Sequence, residues 1–210
     1  MTEHLYIARP PAGGGAGILA LHAWWGFNPF FKSFCDRLAG EGFLVAAPDL
    51  YHGAVAATIP EAENLRSKLK QKIARQEITE AAAELAAMCQ PKPVGLVGFS
   101  LGGYFALWLA EQGVERLTAV VIFYGSRGGD YSRCPAAFQF HLAENDPYES
   151  ESGIRKLEKS LKAAGKTAEF YRYPGTTHWF FESDREGAYD PQAVRLAWER
   201  TAGFFKKHLK

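Results

Sequence analysis

Long apolar runs are missing from this 210-residue chain. With no stretch of about 18 apolar residues, a membrane-spanning helix is not expected. The N-terminal MTEHLYIARPP carries neither the basic region nor the apolar core of a secretion signal, so the expectation is a cytoplasmic protein. Charge of one sign is missing too: 24 Lys and Arg stand against 23 Asp and Glu. Such a balance leaves no net field to gather nucleic acid or an anionic membrane, and a small-molecule partner is the class that remains. Cysteine is scarce. Cys35, Cys89 and Cys134 are odd in number and far apart, without CxxC or histidine spacing, so they read as reduced thiols in ordinary packing and imply no metal. The Gly-rich run Gly13 to Gly17 contains no G-x-G-x-x-G after a strand and reads as a turn rather than a nucleotide loop. No repeat or linker divides the chain, so residues 1–210 are expected to form one domain, a monomer or small homo-oligomer without a cofactor.

What is present is an alternation. Short apolar runs at Ile18 to His22, Phe43 to Ala47, Val94 to Phe99, Ala119 to Tyr124, Ala137 to Leu142 and Ala168 to Tyr173 read as strands, with His4 to Ala8 as an added edge. Segments of helical period lie between them: Pro29 to Ala39, Pro60 to Cys89, Leu101 to Gln112, Glu149 to Ala164 and Pro191 to His208. Pro60 and Pro191 suit a first helical turn, Gly40, Gly113 and Gly165 follow helix ends, and Pro91 stops extension past Gln90. The pattern predicts an α/β fold with a mostly parallel sheet of about seven strands flanked by helices.

One stretch carries chemistry. Val94 to Phe99 is an apolar strand, Gly98-Phe99-Ser100-Leu101-Gly102 is a G-x-S-x-G pentapeptide, and a helix follows. A serine on such a sharp strand-to-helix turn is held in a strained conformation, and glycine two residues to either side removes Cβ atoms that would collide. The bare alternative is that these glycines only permit tight packing; the strand and helix around them favour a nucleophile. Leu101 follows at the helix N-terminus, where its backbone N–H can stabilise an oxyanion. A serine hydroxyl needs a base and a buried carboxylate to orient that base, and on this kind of sheet the order along the chain is Ser, acid, His. Of the six histidines, His178 follows the last predicted strand in a loop that can return across the sheet, and it is the candidate base. Asp146, just past the strand ending at Leu142, is the favoured acid; Asp130, after Gly128-Gly129, and Glu144 are its rivals.

These residues, with His22-Ala23-Trp24-Trp25-Gly26-Phe27-Asn28-Pro29, Ala47-Pro48-Asp49-Leu50-Tyr51, Gly98-Phe99-Ser100-Leu101-Gly102-Gly103, Asn145-Asp146-Pro147 and Tyr173-Pro174-Gly175-Thr176-Thr177-His178 in this order, resemble the dienelactone hydrolase family from about Leu19 to His208. The resemblance implies an α/β-hydrolase fold without a large cap domain. It also implies a second oxyanion donor, the backbone N–H of Trp24. The sequence departs from the founding members in three places. Their nucleophile is a cysteine, here Ser100. They carry a glutamate where this chain has Ala23, and they hold the substrate carboxylate with arginines, whereas Phe180-Phe181-Glu182 stands downstream of His178. The first two changes agree, because a thiol can be deprotonated by a switchable carboxylate while a serine needs concerted transfer to histidine.

Loops at the expected active edge contribute Trp24, Trp25, Phe27, Phe30, Tyr104, Trp179 and Phe180, which as pocket residues would suit an acyl or aryl ester and otherwise belong to the core. Trp25, Tyr104 and Trp179 are the pocket candidates, joined by Arg127, which follows a strand and is either a carboxylate anchor or a solvated loop residue. The expected function is hydrolysis of a small ester or lactone. A thioesterase, a small peptidase or a non-hydrolytic ligand sensor on the same fold are the alternatives.

Overall fold

The computed structural model describes residues 4–210. Its strands are β1 (Leu5–Ala8), β2 (Gly17–Leu21), β3 (Leu44–Pro48), β4 (Val94–Phe99), β5 (Leu117–Phe123), β6 (Ala137–Asn145) and β7 (Ala168–Thr177). Its helices are α1 (Pro29–Gly40), α2 (Ile59–Lys68), α3 (Gln71–Met88), α4 (Leu101–Glu111), α5 (Glu151–Ala163) and α6 (Pro191–His208). The strands form one sheet in the order β1-β3-β2-β4-β5-β6-β7. All neighbours run parallel except β1, which caps the edge antiparallel to β3.

Strand periodicity sorts the core into two layers. In β5, Val121 and Phe123 face α1 and α6, meeting Phe34, Trp198 and Phe205. Val120 and Ile122 face the opposite layer, where α3, α4 and α5 supply Ile78, Leu85, Phe105 and Leu157. Every residue of β4 is buried, as expected of a central strand covered on both faces. Side-chain caps fix the helix starts near the strand ends. Phe31 N–H donates to Asn28 Oδ1 ahead of α1, and the Asp190 carboxylate accepts from Gln192 and Ala193 at α6.

Two departures from the periodic reading matter for function. The segment 60–89, read as one helix, is two: Leu69 and Lys70 adopt extended backbone between α2 and α3. No glycine or proline marks the break. Its cause is tertiary, since α3 buries Ala74, Ile78, Ala81 and Leu85 against the sheet while α2 buries only Ala62 and turns away.

The second departure is the length of β6 and β7, which run past Leu142 and Tyr173. Ala143 pairs with Tyr173 and Asn145 with Thr177, so β7 carries two extra residues across the same interval. That bulge absorbs Pro174-Gly175, which otherwise reads as a strand end. Gly175 takes φ of 74° there, and its N–H donates to Glu144 Oε2 at 2.9 Å. Glu144 is thereby a turn partner.

Phe123 tests the layer beneath the central strands, where its ring stacks on Phe99 at 4.4 Å between centroids. Phe123→Ala should lower stability by about 3–5 kcal/mol, read from the urea midpoint at constant m-value.

Candidate active site

The strand ends of β4, β6 and β7 converge at one edge of the sheet. Ser100 occupies the turn from β4 to α4 with φ of 50° and ψ of −110°, a conformation costly for a residue with a side chain. A Cβ on Gly98 would strike the carbonyl of Gly102, and one on Gly102 would strike the carbonyl of Leu21. Only glycine fits either position. The turn is held from both sides, by Ser100 N–H to the Phe123 carbonyl and Tyr104 N–H to the Ser100 carbonyl, each 3.0 Å.

Because Asn145 and Thr177 are paired, the residues that follow them, Asp146 and His178, leave the sheet side by side. His178 Nδ1 lies 2.8 and 2.7 Å from the two carboxylate oxygens of Asp146, and His178 Nε2 lies 2.9 Å from Ser100 Oγ. A carboxylate only accepts, so Nδ1 carries the hydrogen and Nε2 is left to accept from the serine hydroxyl. Asp146 Oδ1 also accepts the backbone N–H of Tyr148 and of Glu149, which fixes the carboxylate. The side chains of His178 and Asp146 are 2% and 7% exposed, which keeps water from competing for these bonds. Asp130 stands elsewhere, exposed, accepting from Ser132 N–H.

The loop after β2 supplies the opposite wall. His22 is fully buried, and burial lowers its pKa, so the ring is neutral. Its Nδ1–H donates to the Ala23 carbonyl at 2.6 Å, and its Nε2 accepts from Leu50 N–H at 3.1 Å. The imidazole thus clamps the peptide leading into Trp24. Among the described residues, neither Trp24 N–H nor Leu101 N–H, the latter in the first turn of α4, donates to a protein acceptor.

Ser100, Leu101, Trp24 and His178 open into a cavity of about 740 Å³. Tyr104 and Trp179 line it as well, joined by Tyr148, Ser126 and Glu149, and α2 contributes Glu63, Arg66 and Ser67. Its far rim is therefore polar, where an aromatic pocket was expected. Two sequence candidates stand outside it. Trp25 is buried edge-on against Trp24 and Trp179, at ring separations of 5.5 and 5.0 Å. Arg127 is held by Glu111 at 2.6 Å, a partner on α4 that no linear pattern announces, so its guanidinium is already engaged. The arginine that does line the cavity is Arg66. The residues missed in the sequence, Arg66, Ser126 and Glu149, carry no motif. Position alone could have flagged Ser126 and Glu149, each in a loop beyond a parallel strand's carboxyl end.

Two buried carboxyls sit close by. Glu149 is pushed up to about 7, chiefly by burial, with the Ser126 hydroxyl as its hydrogen-bond donor. Glu182, fully buried, is pushed up to about 8, again by burial first; Tyr124 OH donates to its Oε1 at 2.7 Å, and the Tyr124 ring packs 4.9 Å from that of His178. The folded chain keeps a proton on Glu182 that the unfolded chain has released above its ordinary value of 4.5. Stability is therefore lost as pH rises from there through about 8. The buried, neutral His22 and His141 act in the opposite sense below about pH 6.5, so the Glu182 contribution is read as a difference: the melting temperature of wild type relative to Glu182→Gln, followed by circular dichroism, should decline as pH rises from about 5 to about 9.

The dienelactone hydrolase family model matches residues 4–209. A protein of Aquifex aeolicus (strain VF5) is 34% identical over 218 residues, covering 98% of this chain and 93% of its own. The carboxymethylenebutenolidase of Rhodococcus opacus is 26% identical, covering 96% of this chain and 85% of its own. Among solved structures, a dienelactone hydrolase-like promiscuous phosphotriesterase from metagenomic libraries superposes with a TM-score of 0.86 at 19% identity, covering 98% of this chain and 92% of that one. With an α/β-hydrolase sheet, a family match over nearly its whole length and relatives alike from end to end, this chain belongs to the dienelactone hydrolase family.

Proposed function

We propose that this carboxylic ester hydrolase cleaves a small ester or lactone by acyl transfer through Ser100. The observation that carries the proposal is the hydrogen-bonded chain from Ser100 Oγ through His178 to Asp146, at the mouth of a cavity that Trp24 and Leu101 also line.

In this reading the substrate carbonyl lies over Ser100 with its oxygen toward the N–H groups of Trp24 and Leu101. Ser100 Oγ forms a bond to the carbonyl carbon while its proton passes to His178 Nε2, and the electron pair of the C=O bond moves onto the oxygen. Asp146 holds the ring in one tautomer and stabilises the imidazolium. Collapse of the intermediate breaks the bond to the leaving oxygen, which takes the proton from His178. A water then gives its proton to His178 and attacks the acyl-enzyme; the bond to Ser100 Oγ breaks, the acid leaves, and His178 returns the proton to Oγ.

The cavity supports this choice of substrate. Trp24, Tyr104 and Trp179 offer ring surface to an apolar acyl portion, while Arg66 on α2 meets a polar or anionic end. Ala23 in place of the family's glutamate fits a serine, whose proton goes to His178 directly.

Ser100→Ala should remove p-nitrophenyl acetate turnover and fluorophosphonate labelling while leaving the melting temperature within a few degrees of wild type. Asp146→Asn should lower kcat by about 10⁴ with little change in KM, since it disturbs the tautomer and not the binding surface. Turnover that survives in Ser100→Ala at the wild-type rate would refute the assignment.

A further inference from the structure

Beyond the wall formed by Tyr148 and Trp179 lies a second cavity, about 510 Å³, of a size that takes a small organic group. It shares Tyr148, His178 and Trp179 with the first cavity, but Ser100 and Leu101 line only the first. We propose that this second cavity receives the alcohol half of the ester, and that the alcohol it fits is neutral and aromatic. The proposal rests on the acyl-transfer reading of Ser100.

The direction follows from the proton. In that reaction the carbonyl carbon must sit on Ser100 with its oxygen toward Leu101, and the leaving oxygen must face His178, which returns the proton to it. The leaving group then extends along the His178 side. The cavity that touches His178 without touching Ser100 is on that side.

The chemistry of the walls selects the occupant. Trp179 and Tyr148 present ring surface, with Ile59 and Pro147 beside them and Trp25 buried behind, under Arg185. The cation at this site is already committed. Arg185 stacks 3.9 Å over the Trp25 ring, pairs with Asp184 at 2.8 Å and donates to the Ala57 carbonyl at 3.2 Å. An anionic alcohol would meet Asp184 and Glu186 without a free positive partner.

The partition between the cavities is lightly held. The Tyr148 ring is 45% exposed, and it is held by ring contacts to Trp24, His178 and Trp179 at 5.6, 5.0 and 4.8 Å, with no hydrogen bond to its hydroxyl. Tyr148 lines both cavities, and turning its ring would break no polar contact.

Ethyl acetate and 1-naphthyl acetate give the same acetyl-enzyme, so their kcat/KM values differ only through steps up to acylation. Ala57 is an exposed residue of the second cavity. Ala57→Trp should lower the naphthyl-to-ethyl ratio of kcat/KM about tenfold, with Ala57→Leu between it and wild type. Calorimetric titration of the wild-type protein with 1-naphthol should show saturable binding that weakens in the same order. A ratio that does not move in either variant, or the absence of naphthol binding, overturns the subsite and leaves the Ser100 reading standing. Wild-type turnover in Ser100→Ala overturns both.

Discussion

The pairing of Asn145 with Thr177 is the constraint on which the site depends. Asp146 and His178 come from separate β-α units, and loops alone would leave their separation to chance. Parallel pairing carried to the last residue of each strand brings the two side chains out together, and the bulge around Pro174-Gly175 sets the phase in which they emerge. Ser100 is positioned by a different strand, β4, yet its N–H bonds to the carbonyl of Phe123 on β5. Main-chain bonds of one sheet thus locate three side chains that share no sequence neighbourhood, and side-chain packing is left to refine angles rather than establish distances.

Around this frame the ionisable groups are kept in contrasting states. His22 is neutral and spends both ring nitrogens on backbone, one toward Ala23 and one toward Leu50. Glu182 and Glu149 are held toward protonation by burial. Asp146 accepts the backbone N–H groups of Tyr148 and Glu149 and faces Nδ1 of His178. The ring of His178 therefore sees one strong acceptor on its Nδ1 side, while Glu182 behind Tyr124 adds little competing negative charge near neutral pH.

How much could be read from the chain follows from where each signal resides. The elbow at Ser100 was legible because strain, flanking glycines and a strand-to-helix switch are all local. His178 was legible from chain order, and Asp146 from its distance past an apolar run. The length of β6 and β7 was hidden, since Pro174-Gly175 and Asn145 resemble strand ends unless the bulge that accommodates them is known. The break at Leu69-Lys70 was hidden for a related reason: the apolar spacing continues through it, and only packing against the sheet separates the two helices. Arg127 shows the same limit on a smaller scale. Its loop position suggested a substrate anchor, and its partner Glu111 became visible only when α4 was set beside that loop.

Helix α2 supplies Glu63, Arg66 and Ser67 to the cavity, yet of its ten residues only Ala62 is buried. The part of the chain that lines the far end of the cavity is therefore almost independent of the part that keeps the chain folded. Such an arrangement lets the two evolve at different rates. Replacements along the exposed face of α2 can reshape that end of the cavity while the sheet, the elbow and the histidine remain as they are, over a segment of ten residues.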